Sequence, residues 1–348
     1  MRCLTLAGTL SDGGAVCRFI CRNHDGNMID EIRERGFEVN ILPLNSKNLA
    51  LAASPSSNAQ LDYSHWLGAD WVLDASQTKT AIDAIPVDWL IVDHYAIDRR
   101  WERLLRPLCQ KLMVIDDLAD RPHDCDLLLD QNIGRKVEDY SKLTSDACTI
   151  LAGPSYALIR NEFWQSRHRG KIHNKNVKNL LVFFGGVDIE NYTGRTLKIL
   201  SEKEFSGLNV DVVIGARHLF EEEIKSTCKK FNFQCHVQTN DMAELMQKAD
   251  LYIGAGGGAI LERIMMKLPS VATAVADNQV EALKYLENTG SSIYLGPGHL
   301  LKDNFFKQEI LRAMNTIELL TKNGNTLCKE YFSEQVQWSE RLSIKPFE

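Results

Sequence analysis

From Ala15 onward, short β-branched runs alternate with amphipathic stretches, and this alternation limits the chain to parallel sheets covered by helices. In the first half the expected strands are residues 15–20 (AVCRFI), 37–42 (FEVNIL), 88–93 (DWLIVD) and 111–116 (KLMVID). The second half repeats the grammar at 179–186 (NLLVFFGG), 210–216 (VDVVIGA), 250–256 (DLYIGAG) and 270–275 (SVATAV). Each of these later runs ends in Gly, Ala or Asp before a helix. The reading is an α/β protein of two Rossmann-like domains with a cleft between them. With 348 residues, two domains are the natural division. Residues 1–160 form the first and residues 177–348 the second. Between them, the polar and aperiodic stretch 161–176 is expected to be the linker. A helical stretch from about Lys322 to Arg341 closes the chain, with no strand after it. The start breaks the pattern, because a helix-like RCLTLAGTL comes before the first strand.

Apolar residues make up 44% and charged residues 25%, the balance of a packed globular protein. The net charge of -6 gives no footprint for nucleic acid or an anionic membrane, so neither partner is expected. Met1 to Leu10 lacks the pattern of a signal peptide, and a cytoplasmic location is expected. Nine cysteines are scattered without CxxC pairs, and no His/Cys/Asp cluster has zinc spacing. No metal and no cofactor are expected.

The most informative local motif is Gly254-Ala255-Gly256-Gly257-Gly258, followed by a helix that carries Glu262. Backbone amides of such a turn can approach a diphosphate closely, and a carboxylate one turn in can accept hydrogen bonds from ribose hydroxyls. A plain tight turn with a solvated glutamate is the competing reading. A second glycine turn, Gly185-Gly186, follows the first strand of the second half. Ligands of open α/β sheets sit at the carboxyl ends of strands, so both turns should face one site. Asp277-Asn278-Gln279 comes at the same place after another strand, where it could equally cap the next helix. In the first half, Asp93-His94-Tyr95 ends a strand. A phenol and an imidazole there can position a sugar hydroxyl or a water and move a proton, although a satisfied turn would look the same. The carboxylate run Asp116 to Asp126 reads mostly as turn and cap chemistry.

Taken together, VDHYAID (92–98), IDDLADRPHDCDLLLDQN (115–132), LAGPSYALIR (151–160), FFGGVD (183–188), the glycine turn with Glu262 and Pro269, and ADNQ (276–279) carry a resemblance. In that order they resemble the UDP-2,4-diacetamido-2,4,6-trideoxy-β-L-altropyranose hydrolases of pseudaminic acid biosynthesis, the route to flagellin and surface glycans. Those enzymes are similar in fold to the GT-B transferase that adds N-acetylglucosamine in peptidoglycan synthesis, whose E-x6-P element matches Glu262 to Pro269. The resemblance implies metal-free hydrolysis of the UDP-sugar at the anomeric carbon, releasing UDP. It implies that Tyr95 and Asn278 are active-site residues and that Glu262 binds the ribose. Gly185, Gly186 and the amides of Gly256, Gly257 and Gly258 would face the diphosphate, with Gln279 beside them. Members of that family begin with a strand and a G-x-G-H-x-x-R turn whose histidine is catalytic. Here Arg2 matches the end of that turn and the histidine has no counterpart, so slower hydrolysis is expected and His94 is the substitute candidate. A nucleotide-sugar glycosyltransferase and a silent UDP-sugar-binding protein are the alternatives.

Overall fold

The computed structural model describes residues 1–44, 63–82, 87–168 and 176–343. The chain divides into two compact units, Met1–Leu158 with Val336–Glu348, and Ile159–Gln335.

The first unit opens on helix α1 (Arg2–Asp12), whose Leu4, Leu6, Ala7 and Leu10 recur at helical spacing and are buried. Strand β1 (Arg18–Arg22), helix α2 (Ile29–Glu34) and strand β2 (Glu38–Leu42) follow. The next elements are α3 (Trp71–Ile82), β3 (Val87–Val92), α4 (Arg99–Leu105), β4 (Cys109–Ile115), β5 (Leu127–Asp130) and β6 (Thr149–Ala152). Strands β1 and β2 pair in parallel as one sheet, and β3-β4-β5-β6 form a second parallel sheet in chain order. Tyr140 hydroxyl bonds Asp116 at 2.9 Å and Asp130 at 2.7 Å, so two fully buried carboxylates at the ends of β4 and β5 share one phenol. Arg121, also buried, balances Asp116 at 2.8 Å.

The second unit runs α5 (Asn161–His168), β7 (Asn179–Phe183), α6 (Tyr192–Leu200), β8 (Asn209–Ile214), α7 (Glu221–Phe231), β9 (Gln234–Val237) and α8 (Met242–Lys248). It continues with β10 (Leu251–Ala255), α9 (Ile260–Met265), β11 (Ser270–Ala274), α10 (Val280–Asn288), β12 (Ser292–Pro297), α11 (Asp303–Asn315) and α12 (Ile317–Tyr331). Its six strands are parallel in the order β12-β11-β10-β7-β8-β9. That is the doubly wound order, and it reverses direction between β7 and β10. Every residue of β10 and β11 is buried, as expected of parallel strands covered on both faces.

The tail departs from the expected division. Residues 177–348 were read as one domain, but the stretch from Val336, including helix α13 (Trp338–Arg341), belongs with the first unit. Trp338 and Leu342 are buried among Leu6, Leu10 and Leu158. Trp89 Nε1 donates to the Leu342 carbonyl at 2.9 Å, and Ser339 Oγ donates to the Thr9 carbonyl at 3.2 Å. The expected linker 161–176 also differs, since its first half is the helix α5. Phe163 and Trp164 there are buried core residues of the second unit, two anchors that the polar composition around them conceals. Residues 169–175 of that stretch lie outside the described residues.

Candidate functional site

The loops after β7, β8, β10 and β11 all leave from the carboxyl edge of the second sheet, on either side of the point where the strand order reverses. Glycine makes their close approach possible. A Cβ on Gly254 would run into the Phe183 carbonyl of the neighbouring strand, and one on Gly215 would run into the Gly186 carbonyl. Gly185 has φ +99, a conformation that a side chain would strain. Among the described residues, the amides of Gly185 and Gly186 have no acceptor, nor do those of Gly257 and Gly258. Gly256 differs from the expectation. It is buried, and its N–H donates to the Thr273 carbonyl at 3.1 Å, which prolongs the β10–β11 ladder and leaves it no donor for a ligand. A Cβ on Gly258 would meet nothing within 4 Å.

The turn after β7 carries its own anion. Asp188, buried at φ 41, accepts from the Tyr192 amide at 3.0 Å and the Thr193 amide at 2.7 Å. The first amides of α6 are thereby already satisfied by a carboxylate. Helix α9 has only six residues, so little macrodipole stands behind the second turn and its amides supply the attraction there. Gln279 reaches across from the β11 loop. Its Nε2 lies against Gly257, and its Oε1 accepts from the Val275 amide at 3.1 Å. Asn278 is exposed beside it. Glu262 Oε1 accepts from Arg160 Nε at 2.9 Å, while Arg160 also pairs with Glu162 at 2.8 Å and lies over the Phe163 ring. Burial raises the Glu262 carboxyl above its ordinary pKa, against the pull of Arg160.

In the first unit a second cluster occupies the carboxyl ends of β3 and β4, which are adjacent in register. Arg2 grips Asp93 with two bonds, Nε to Oδ2 at 2.9 Å and Nη2 to Oδ1 at 2.7 Å, and reaches Asp117 Oδ2 at 3.0 Å. Tyr95 hydroxyl donates to the same Asp117 oxygen at 2.9 Å. Burial and the neighbouring Asp117 push the Tyr95 phenol well above its ordinary range, so it stays a donor at all ordinary pH values. Asp117 Oδ1 is buried and has no hydrogen-bond partner among the described residues. His94 is more constrained than the sequence suggests. Its Nδ1 accepts from the Ala96 amide at 3.0 Å and burial lowers its pKa, while the Trp66 ring packs against Tyr95 with centroids 5.6 Å apart.

Three residues of these clusters were not singled out from sequence: Asp117, Arg160 and Trp66. Asp117 was absorbed into a run of turn carboxylates. Arg160 stands 102 positions from its partner Glu262, a separation that no local pattern encodes. Among the described residues no group of three or more His, Cys, Asp or Glu could hold a metal ion, and no helix is long and apolar enough to cross a membrane.

Solved structures share this architecture along nearly the whole chain. Arabidopsis thaliana UGT89C1 complexed with UDP matches with a TM-score of 0.64 at 11% identity, covering 99% of this chain and 96% of that one. MurG of Acinetobacter baumannii matches with a TM-score of 0.56 at 12% identity, covering 94% and 98%. The fold is GT-B glycosyltransferase-like. In sequence, the chain is 27% identical over 206 residues to the UDP-2,4-diacetamido-2,4,6-trideoxy-beta-L-altropyranose hydrolase of Campylobacter jejuni, covering 59% of this chain and 72% of that protein. It is 28% identical over 183 residues to the spore coat polysaccharide biosynthesis protein SpsG of Bacillus subtilis, covering 51% and 54%. An uncharacterized protein of Methanocaldococcus jannaschii is 27% identical over 264 residues, covering 70% and 54%. The chain thus spans about half the length of two of these three relatives. No family model matches it. The chain is a distant homologue of that hydrolase and of SpsG.

Proposed function

We propose that this chain hydrolyses a UDP-linked diacetamido sugar at its anomeric carbon, with UDP held by the second unit. The observation that carries the reading is the carboxyl edge at the strand-order reversal. There, the undonated amides of Gly185, Gly186, Gly257 and Gly258 accompany a carboxylate, Glu262, already oriented by Arg160. Amides of this kind neutralise a diphosphate, and Glu262 accepts from the ribose hydroxyls. The homology to a UDP-sugar hydrolase supports the same choice.

In the reaction, a water oxygen bonds to the anomeric carbon as the bond from that carbon to the β-phosphate oxygen breaks. UDP leaves with the electron pair, and its charge is stabilised by the loop amides. The water keeps one proton on the new anomeric hydroxyl and gives up the other to bulk solvent. Tyr95, a fixed donor, serves the sugar part of the substrate, with Arg2 and Asp117 orienting it. Asn278 and Gln279 line the nucleotide-sugar side of the second unit. His94, whose Nδ1 accepts from the Ala96 amide, orders the turn that ends β3.

The solved structures that share the fold include glycosyltransferases, which favours transfer to an acceptor as the second reading. Incubating the purified protein with the UDP-sugar alone separates the two. UDP release without an acceptor is the expected result. Release only when an acceptor is added supports the transferase, and UDP binding without any turnover supports a binding protein.

A further inference from the structure

Trp66 is left with 48% of its surface in water although the two residues after it, Leu67 and Gly68, are buried. It sits in the 3-10 turn Ser64–Leu67, where Leu67 is buried in the core of the first unit. The next residue, Gly68, is left-handed at φ 69, and a Cβ there would press on the His24 ring and on Arg22. Arg22 is itself tied to Asp74 at 2.6 Å, and Asp74 also accepts from Trp101 Nε1 at 2.8 Å. The turn is therefore anchored through Leu67 and Gly68, and the indole stands half exposed beside them.

What the indole faces is specific. Its ring centroid lies 5.0 Å from Tyr63 and 5.6 Å from Tyr95, and the two tyrosines are 5.3 Å apart. These Trp and Tyr rings form one cluster, with the His65 ring edge-on to Trp66 at 5.8 Å, and its Tyr95 member ends in the hydroxyl that bonds Asp117 beside Arg2. An apolar platform adjoins a charged, hydrogen-bonding rim. A ligand that matches it has one apolar face and polar groups around its edge. A hexopyranose chair has that shape, with axial C–H bonds on a face and hydroxyl or acetamido groups at the rim.

We propose that Trp66 is the stacking platform for the pyranose ring of an acetamido sugar, a binding site of the first unit that goes beyond the nucleotide site proposed above. The Trp66 indole stacks on the ring's C–H face. The Tyr95–Asp117 edge then reads the substituents.

The test follows the Trp66 indole N–H by nitrogen-15 NMR, its signal identified as the one that Trp66→Phe removes. The protein is titrated separately with N-acetylglucosamine, UDP and UDP-N-acetylglucosamine. The Trp66 signal should move with both sugar-containing ligands and stay in place with UDP. In calorimetry, Trp66→Ala should lower the affinity for N-acetylglucosamine about fivefold, and Trp66→Phe should restore most of it. A Trp66 signal unmoved by either sugar-containing ligand, or moved by UDP alone, overturns the proposal. Failure of the nucleotide reading would show differently. UDP would then leave the amides of Gly185, Gly186, Gly257 and Gly258 unmoved, while the free-sugar titration would still decide the role of Trp66.

Discussion

At Glu262, burial favours the neutral acid and the Arg160 guanidinium favours the carboxylate; burial prevails, so the pKa is raised. A carboxyl raised in this way holds its proton more tightly folded than unfolded. Its contribution to stability is fully present below the unfolded carboxyl range and is lost as pH rises through the raised value. Glu262→Gln keeps the shape and removes the titration. Thermal unfolding should therefore show the variant gaining on the parent as pH rises through that window, and a constant gap would refute the shift. Ligand affinity should run the other way, because ribose hydroxyls donate to the ionised form. UDP should bind less tightly as pH falls through the same window in the parent, relative to Glu262→Gln. Glu262→Ala should cost UDP about tenfold or more in affinity, from the loss of charge-assisted hydrogen bonds worth about 1.5–3 kcal/mol. Tyr95→Phe should leave UDP affinity unchanged while reducing turnover of the UDP-sugar. Equal losses for both ligands would remove Tyr95 from the sugar side.

The β7–β10 pair shows how strongly an element can depend on one missing side chain. Gly254 pairs with Phe183, and a Cβ there would run into that residue's carbonyl, which is rigid backbone. Gly254→Ala should destabilise the protein by about 1–3 kcal/mol in urea unfolding. Gly258→Ala, with open space around the new methyl, should stay within about 0.5 kcal/mol. The strands that border the site were legible because each is a β-branched or aromatic run closing on a small residue. β3, β7, β8, β10 and β11 start and end within a few residues of the expected bounds. Strands β5, β6, β9 and β12 carried weaker signals. β9 is the polar QCHV, β6 is only four residues long, and β12 ends in Gly-Pro. The first strand was expected at 15–20 and lies at Arg18–Arg22, since the apolar run begins in the turn before it. At the site, the glycine turns were legible from composition. Gly256's engaged amide was not, because its acceptor, Thr273, belongs to another strand.

On the scale of the whole molecule, the return of the tail to the first unit is the feature that local periodicity could not supply. Trp338 is 4% exposed within that unit's core, far along the chain from Leu6 and Leu10. Trp338→Ala should cost about 3–5 kcal/mol, and the cost should fall on the first unit. In a two-step unfolding experiment, the transition that UDP protects should stay in place while the other moves down. A drop of the UDP-protected transition would mean that the tail supports the second unit instead. The central claim is that UDP sits at the strand-order reversal of the second unit. The most direct measurement is a backbone amide NMR titration with UDP. The account predicts the largest shifts at Gly185, Gly186, Gly257, Gly258 and Gln279, with a smaller one at Gly256, whose N–H is already bonded. Shifts concentrated elsewhere, or none at all with millimolar UDP, would contradict it.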